Sequence, residues 1–225
     1  MSFVVAIDGP AGTGKGTVTK ILAKELNLVN IDTGATYRCV ALYTIKNNIG
    51  LEKKDKIIEN LKNIHIDMKN ENGEQTIFLN NEDVTEQIRT NEVNKIVSQI
   101  SSIKEVRYAM VDVQRKLAEG KDVIMEGRDI TTYVFPNADV KIYLDGDEKE
   151  RVLRRYKQMI EKGMKTTYEE VLQNVRLRDK NDKEKEIGAL KIAKDAVYID
   201  TTNMSVTEEV EKIKNIIDQK RLKNN

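Results

Sequence analysis

Lys15 lies within Gly9-Pro10-Ala11-Gly12-Thr13-Gly14-Lys15-Gly16-Thr17, a run whose residue types suit the binding of phosphate. The glycines let backbone N–H groups turn inward around phosphate oxygens with no Cβ in the way. Lys15 adds a mobile positive charge that can reach the outer phosphates of a nucleotide. Such a run works only between a strand and a helix. The apolar stretch Phe3-Val4-Val5-Ala6-Ile7 supplies the strand, and the amphipathic stretch from Val18 to Leu26 supplies the helix. The positive end of that helix dipole then faces the same phosphates. The nine residues are expected to form a nucleotide-binding loop.

Further along the chain, chemistry-bearing residues recur at the ends of short apolar runs. Leu28-Val29-Asn30-Ile31-Asp32 leads into Thr33-Gly34-Ala35-Thr36-Tyr37-Arg38. A glycine turn at the carboxyl edge of a sheet is where α/β proteins bind ligands. Arg38 can fork onto a phosphate, Thr33 offers a hydroxyl, and Asp32 can orient Mg²⁺-bound water or merely cap the next helix. Asp122-Val123-Ile124-Met125 leads into Glu126-Gly127-Arg128-Asp129 in the same manner. Arg128 suits the phosphate of an acceptor. Asp129, an acceptor-only group when ionised, favours a base with an amino group. A plain Arg128–Asp129 ion pair is the bland alternative, although adjacent residues face each other poorly.

The elements that must position these groups follow from periodicity. Strands near residues 3, 29, 123, 141 and 197, separated by helices, predict a five-stranded parallel sheet in an α/β fold. Ile64, Ile66 and Met68 alternate with polar residues, as do Ile77 and Leu79, and Asn72-Gly73 between them is a hairpin signal. A small antiparallel β insertion is expected there. Helices are expected over Thr36 to Lys46, Lys54 to Leu61, Val93 to Ile100, and from a capping box at Ser102–Glu105 to about Glu119. Asp147 opens a helix carrying Arg151, Arg154 and Arg155; a capping box at Thr166–Glu169 opens another with Arg176, Arg178, Asp179 and Asp182. Two arginine clusters flanking a short turn suggest a mobile lid. Ser205–Glu208 caps the last helix.

Composition narrows the function classes. Over 225 residues, 38 Lys and Arg balance 37 Asp and Glu, which argues against a broad nucleic-acid surface. No membrane segment or secretory signal is visible, and a cytoplasmic location is expected. The single cysteine, Cys39, excludes an internal disulfide and reads as a buried thiol. The single histidine, His65, leaves little for a Ser-His-Asp triad or a histidine metal site.

Gly16 stands where the common phosphate loop has a hydroxyl, which here moves to Thr17. Gly-Lys-Gly-Thr resembles the nucleoside monophosphate kinase branch of P-loop proteins. The segments Asp32–Arg38, Glu126–Asp129 and Val134-Phe135-Pro136-Asn137-Ala138 resemble bacterial cytidylate kinases, and the resemblance spans nearly the whole chain. It implies a P-loop NTPase core (1–60, 91–147 and 188–225), an acceptor-binding insertion (about 61–90) and a helical lid (about 148–187). It implies transfer of the γ-phosphoryl of ATP to CMP or dCMP with Mg²⁺, by a monomer. Ser98 and Arg107 correspond to family positions that contact the acceptor pyrimidine. Arg151 and Arg155, one turn apart, correspond to donor-nucleotide contacts, and Arg178 and Asp182 to contacts with phosphate and acceptor ribose. Lys185 replaces a family arginine and lacks its planar fork. The expected catalytic groups are Lys15, Arg128, Arg155 and Arg178. No direct protein ligand for Mg²⁺ is expected beyond Thr17 and Asp32 acting through water. The rival readings are a kinase for UMP, AMP or a small hydroxyl compound, and a non-catalytic nucleotide switch. The Gly-Arg-Asp block and β insertion weigh against the first rival, and the missing hydroxyl after Lys15 against the second.

Overall fold

Val4, Ala6 and Ile31 face one side of a central sheet while Val5, Ile7 and Ile124 face the other, so neighbouring strand residues feed two separate cores. Strands covered on both faces read as continuous apolar runs, and β1 (Val4–Asp8) is buried at every position. The computed structural model describes residues 2–71, 74–161 and 163–224. In chain order its first elements are β1, α1 (Lys15–Glu25), β2 (Val29–Asp32), α2 (Thr33–Lys46) and α3 (Lys54–Asn60). There follow β3 (Ile66–Glu71), β4 (Glu74–Leu79), β5 (Glu82–Asp83), α4 (Asn91–Ile100), α5 (Lys104–Ala118), β6 (Val123–Gly127) and β7 (Val140–Asp145). The chain closes with α6 (Glu148–Glu161), α7 (Tyr168–Glu184), β8 (Val197–Asp200) and α8 (Val206–Asn224).

The five-stranded sheet has the order β2-β6-β1-β7-β8 with every pair parallel, as expected. α1 and α8 contribute Val18, Leu22, Ile213 and Ile217 to one core, and α2, α4 and α5 supply Val40, Val97 and Met110 to the other. β1 lies between β6 and β7, which brings the carboxyl ends of β1, β6 and β2 side by side. Ligand-binding loops of α/β sheets gather at such an edge.

The expected β insertion is present as a three-stranded antiparallel sheet, with Met68 opposite Ile77 and Ile66 opposite Leu79. Its apolar face joins the α2–α4–α5 core. The Asn72-Gly73 turn lies outside the described residues. The third strand, β5, was not foreseen; it follows a tight turn in which Asn80 and Asn81 both take positive φ (50° and 67°), as two-residue hairpin turns require.

Several local expectations need correction. The Ser102–Glu105 capping box does not form: α5 starts at Lys104 with Ile103 as its cap, and the Ser102 hydroxyl donates to the Ser98 carbonyl instead. The box expected at Thr166–Glu169 forms one residue later, where Thr167 and Glu170 bond reciprocally. Thr33-Gly34-Ala35 is not a glycine turn but the first turn of α2. α1 begins at Lys15 rather than Val18. The Ser205–Glu208 box is formed. Cys39 is fully buried, and burial pushes its thiol up to about 12. Among the described residues no helix is long and apolar enough to cross a membrane.

Candidate active site

The loop between β1 and α1 is shaped by close backbone approaches. A Cβ on Gly12, whose φ is 84°, would come within 2.7 Å of the Arg151 carbonyl oxygen. Glycine fits both the positive φ and the contact. Gly9, Pro10, Ala11 and Thr13 are buried, whereas Gly16 and Thr17 are exposed at the first turn of α1. The Lys15 ammonium folds back onto its own loop, donating to the Pro10 carbonyl at 2.7 Å and the Thr13 hydroxyl at 3.1 Å. Burial lowers its pKa, and Arg128 nearby acts in the same direction.

Around this loop lies a crowd of positive charge. Burial pushes the Arg178 guanidinium down to about 10, assisted by Arg128, Arg38 and Arg155, with Asp182 opposing. Arg38 also is lowered, first by burial, while Asp32 opposes and Arg155, Arg89 and Arg128 add to the fall. Elements distant in sequence, α2, the segment before α4, the end of β6, α6 and α7, thus turn cations toward one another. A protein gathers like charge in this way where an anion will reside.

Two carboxylate-centred networks border the cluster. Arg107, buried on α5, pairs with Asp129, and its guanidinium lies 5.3 Å from the centre of the Tyr37 ring. Burial raises the Asp129 pKa even with Arg107 alongside. Asp182 accepts from Arg128 Nε at 2.7 Å and from Lys185 Nζ at 2.8 Å. Burial alone would raise the Asp182 pKa, but Arg128 and Lys185 outweigh it and hold the carboxyl well below the usual range. Arg128 and Asp129 therefore part to different partners, and the simple adjacent ion pair does not form. Ser98 accepts at its hydroxyl from the Asn181 amide (3.1 Å), tying α4 to α7.

Other expected site residues are engaged within the protein. Asp32 caps α2, accepting from the Ala35 N–H at 3.2 Å, and lies 3.8 Å from Arg89. The Thr33 hydroxyl donates to the Glu126 carbonyl at 2.7 Å, joining the start of α2 to β6. Arg38 donates to the Ile88 carbonyl and the Asn94 amide oxygen. Arg151 and Arg155 share a helix but diverge in use. Arg151 is buried and donates to the Ala11 and Gly146 carbonyls and to Asp179, bracing the phosphate loop. Arg155 donates to Gln158 and faces Arg89.

Five further residues of the site had no individual role legible in the sequence. Asp179 accepts from the Ala11 N–H (3.2 Å) as well as Arg151, so α7 touches the phosphate loop directly. Arg154 gathers the carbonyls of Thr201, Thr202 and Met204, the loop after β8. Arg89 joins the cationic cluster. Glu126, half-buried beside Lys15, has its pKa raised by burial first and by Asp32 next. Asp8 ends β1 and is fully buried. A carboxylate at the carboxyl end of a sheet strand was the available signal for Glu126 and Asp8. The other three needed three-dimensional proximity.

A family model for cytidylate kinase matches residues 5–219. A cytidylate kinase of Caldicellulosiruptor bescii is 46% identical over 93% of this chain and 92% of its own. Those of Clostridioides difficile (45% identical, 94% and 96% covered) and Fusobacterium nucleatum (43%, 95% and 99%) are similarly related. Among solved structures, a gluconokinase from Sinorhizobium meliloti shares the fold at TM-score 0.50 and 10% identity, covering 100% of this chain and 98% of that one. With the family model matched over nearly all of its length, a phosphate loop at the end of β1 and the Arg107–Asp129 and Arg128–Asp182 pairs beside it, this chain belongs to the cytidylate kinase family.

Proposed function

We propose that the protein transfers the γ-phosphoryl group of ATP to the 5′-phosphate of CMP or dCMP. The observation that carries this reading is the junction of the phosphate loop with the cluster of Arg38, Arg128, Arg155 and Arg178, bordered by the Arg107–Asp129 pair. An acceptor phosphate oxygen attacks the γ-phosphorus; the bond from that phosphorus to the β-bridging oxygen breaks, and ADP leaves with the bonding electrons. The transition state spreads negative charge over the equatorial oxygens, so alignment and fixed positive charge supply most of the acceleration. Lys15 would swing from the Pro10 carbonyl to the β- and γ-phosphates. Arg128, Arg155 and Arg178 would hold the two phosphates in line. The acceptor phosphate is already ionised near neutral pH, so no strong general base is required.

For the acceptor, Asp129 would accept from the cytosine amino group with Arg107 and Ser98 alongside, and Asp182 would take the ribose. Lys185 would act through Asp182, since its ammonium is committed to that carboxylate. For the donor, Gly9 to Thr17 would cradle the phosphates, with Arg151 holding the loop in shape. Thr17, exposed at the first turn of α1, and the Glu126 carboxylate beside Gly16 are oxygen donors suited to a hard cation such as Mg²⁺. Asp32 stands at the neighbouring strand end. Mg²⁺ brought in by ATP would neutralise charge developing on the β- and γ-phosphates. The same reading divides the chain into a core, an acceptor-binding insertion formed by β3 to β5, and a lid of α6 and α7, in a monomer working in the cytoplasm.

Release of ADP from ATP is measured with CMP, dCMP, UMP, AMP and no acceptor, with and without a chelator. Rapid turnover on CMP and dCMP alone, lost on chelation, is expected. Strong turnover on another monophosphate, or acceptor-independent hydrolysis, would overturn the reading.

A further inference from the structure

Asp8 is the last residue of β1, directly before Gly9, and no part of it is exposed. Its carboxylate accepts three hydrogen bonds, all from one turn. Ile130 N–H donates to one oxygen at 2.9 Å; Thr131 N–H and the Thr131 hydroxyl each donate to the other at 2.7 Å. That turn, a π-helical one over Ile130–Val134, begins immediately after Arg128 and Asp129. The N–H groups of Tyr133 and Val134 in the same turn close back on the Asp129 carbonyl. β1 is held in register by β6 on one side and β7 on the other. Of the two partners, then, the strand is the rigid one and the turn is the one being held.

An ionised carboxylate at this depth is costly, and a well-packed apolar residue would fill the space with less penalty. Burial lifts the Asp8 pKa to about 6, the Thr131 and Ile130 donors opposing, so the group is still mostly ionised at neutral pH. The charged groups facing it are Asp129 from the held turn and Lys15 from α1, with the Tyr143 phenol on β7. Its three bonds lead to the residues that follow the acceptor-reading pair, and its backbone leads into the loop that grips the donor.

We propose that Asp8 is a positioning residue for the acceptor: by anchoring Ile130 and Thr131 to the strand carrying the phosphate loop, it sets Arg128 and Asp129 in place relative to Lys15. This rests on the reading of Arg128 and Asp129 as acceptor contacts. The strand keeps its own register without the carboxylate, whereas the turn loses three anchors. Loss of Asp8 should therefore weaken the acceptor site and spare the donor site.

The test is separate titration of CMP and of ATP into the full-length wild type, Asp8→Asn and Thr131→Val at neutral pH. Asparagine turns an amide N–H₂ toward N–H donors and cannot satisfy all three. Asp8→Asn should weaken CMP binding by about tenfold or more, the scale of hydrogen bonds to a charged group, while ATP affinity stays within about twofold. Thr131→Val removes one donor and should give the same split with a smaller amplitude. A variant that melts as a folded protein and keeps wild-type CMP affinity, or one that loses CMP and ATP affinity in equal proportion, would overturn the proposal. Should Asp8→Asn fail to fold, Thr131→Val alone decides by the same criterion. Wild-type protein that binds ATP but not CMP would overturn the acceptor reading itself, a result distinct from an unchanged variant.

Discussion

Glu126 Oε1 stands 2.7 Å from the point where a Cβ on Gly16 would lie. The carboxylate at the end of β6 and a side chain directly after Lys15 therefore compete for one space. Glycine at position 16 leaves that room to the Glu126 carboxylate, and the hydroxyl of the loop stands one residue later, at Thr17. The contact is with the far end of a flexible side chain, so a larger residue 16 would move the carboxylate rather than break the fold.

Gly16→Ala should accordingly separate stability from activity. The position is helical, where alanine is favoured over glycine by about 1 kcal/mol, offsetting the crowding. The melting temperature should shift by only a few degrees, while ATP-dependent turnover drops by roughly tenfold or more, equivalent to at least about 1.4 kcal/mol of lost transition-state stabilisation. Steady-state kinetics and a thermal melt on the same preparation check this. Undiminished turnover would mean that Glu126 has no part in the reaction.

Asp129→Asn should narrow the preference for CMP over UMP. Asparagine can offer an N–H to the carbonyl that uracil presents where cytosine has its amine. The substitution also leaves buried Arg107 without its counter-charge, so turnover on CMP falls more than turnover on UMP rises. The ratio of kcat/KM values for the two acceptors should contract by about tenfold or more. An unchanged ratio would move base recognition to another residue.

Asp182→Asn removes the partner of both Arg128 and Lys185. Breaking a buried pair leaves uncompensated charge, and a loss of about 3 kcal/mol in unfolding free energy is expected at neutral pH. Because the native Asp182 pKa lies below its unfolded value, the stability it contributes is full above the unfolded pKa and is lost as pH falls through the native one. The gap between wild type and variant should therefore shrink in acid. Denaturant titrations at neutral and strongly acidic pH measure it.

Asp8 carries the opposite sign. Its native pKa of about 6 exceeds the ordinary 3.8, so the folded state holds the extra proton between these values. Stability from this group therefore rises as pH falls through about 6 and levels off below about 4, by up to about 3 kcal/mol. Wild type should gain stability relative to Asp8→Asn between neutral pH and about pH 5, as read by denaturant midpoints. A difference that does not vary with pH would show that Asp8 does not titrate in this range.

Elements whose signals are local are legible along the chain. Apolar runs leading to Asp8, Asp32, Glu126, Asp145 and Asp200 marked the strands of the parallel sheet, most continuously in β1, which is buried at every position. The glycines and Lys15 marked the phosphate loop, because only that composition gives both inward N–H groups and a reaching charge. Alternation around Met68 and Ile77 marked the small antiparallel sheet. The partner of each polar side chain depends instead on contacts between distant segments. Arg151 and Arg155 have the same spacing signal, yet one braces the Ala11 carbonyl and the other joins the arginine cluster. Arg128 and Asp129 are neighbours in sequence but bond to α7 and α5 respectively. Asp8 follows the first apolar run directly, and its three donor groups lie more than a hundred residues away. Hydrophobic period and turn chemistry act over a few residues and can be read along the chain. The partner of a buried charge depends on which distant segments the sheet order brings together, and no local pattern encodes that.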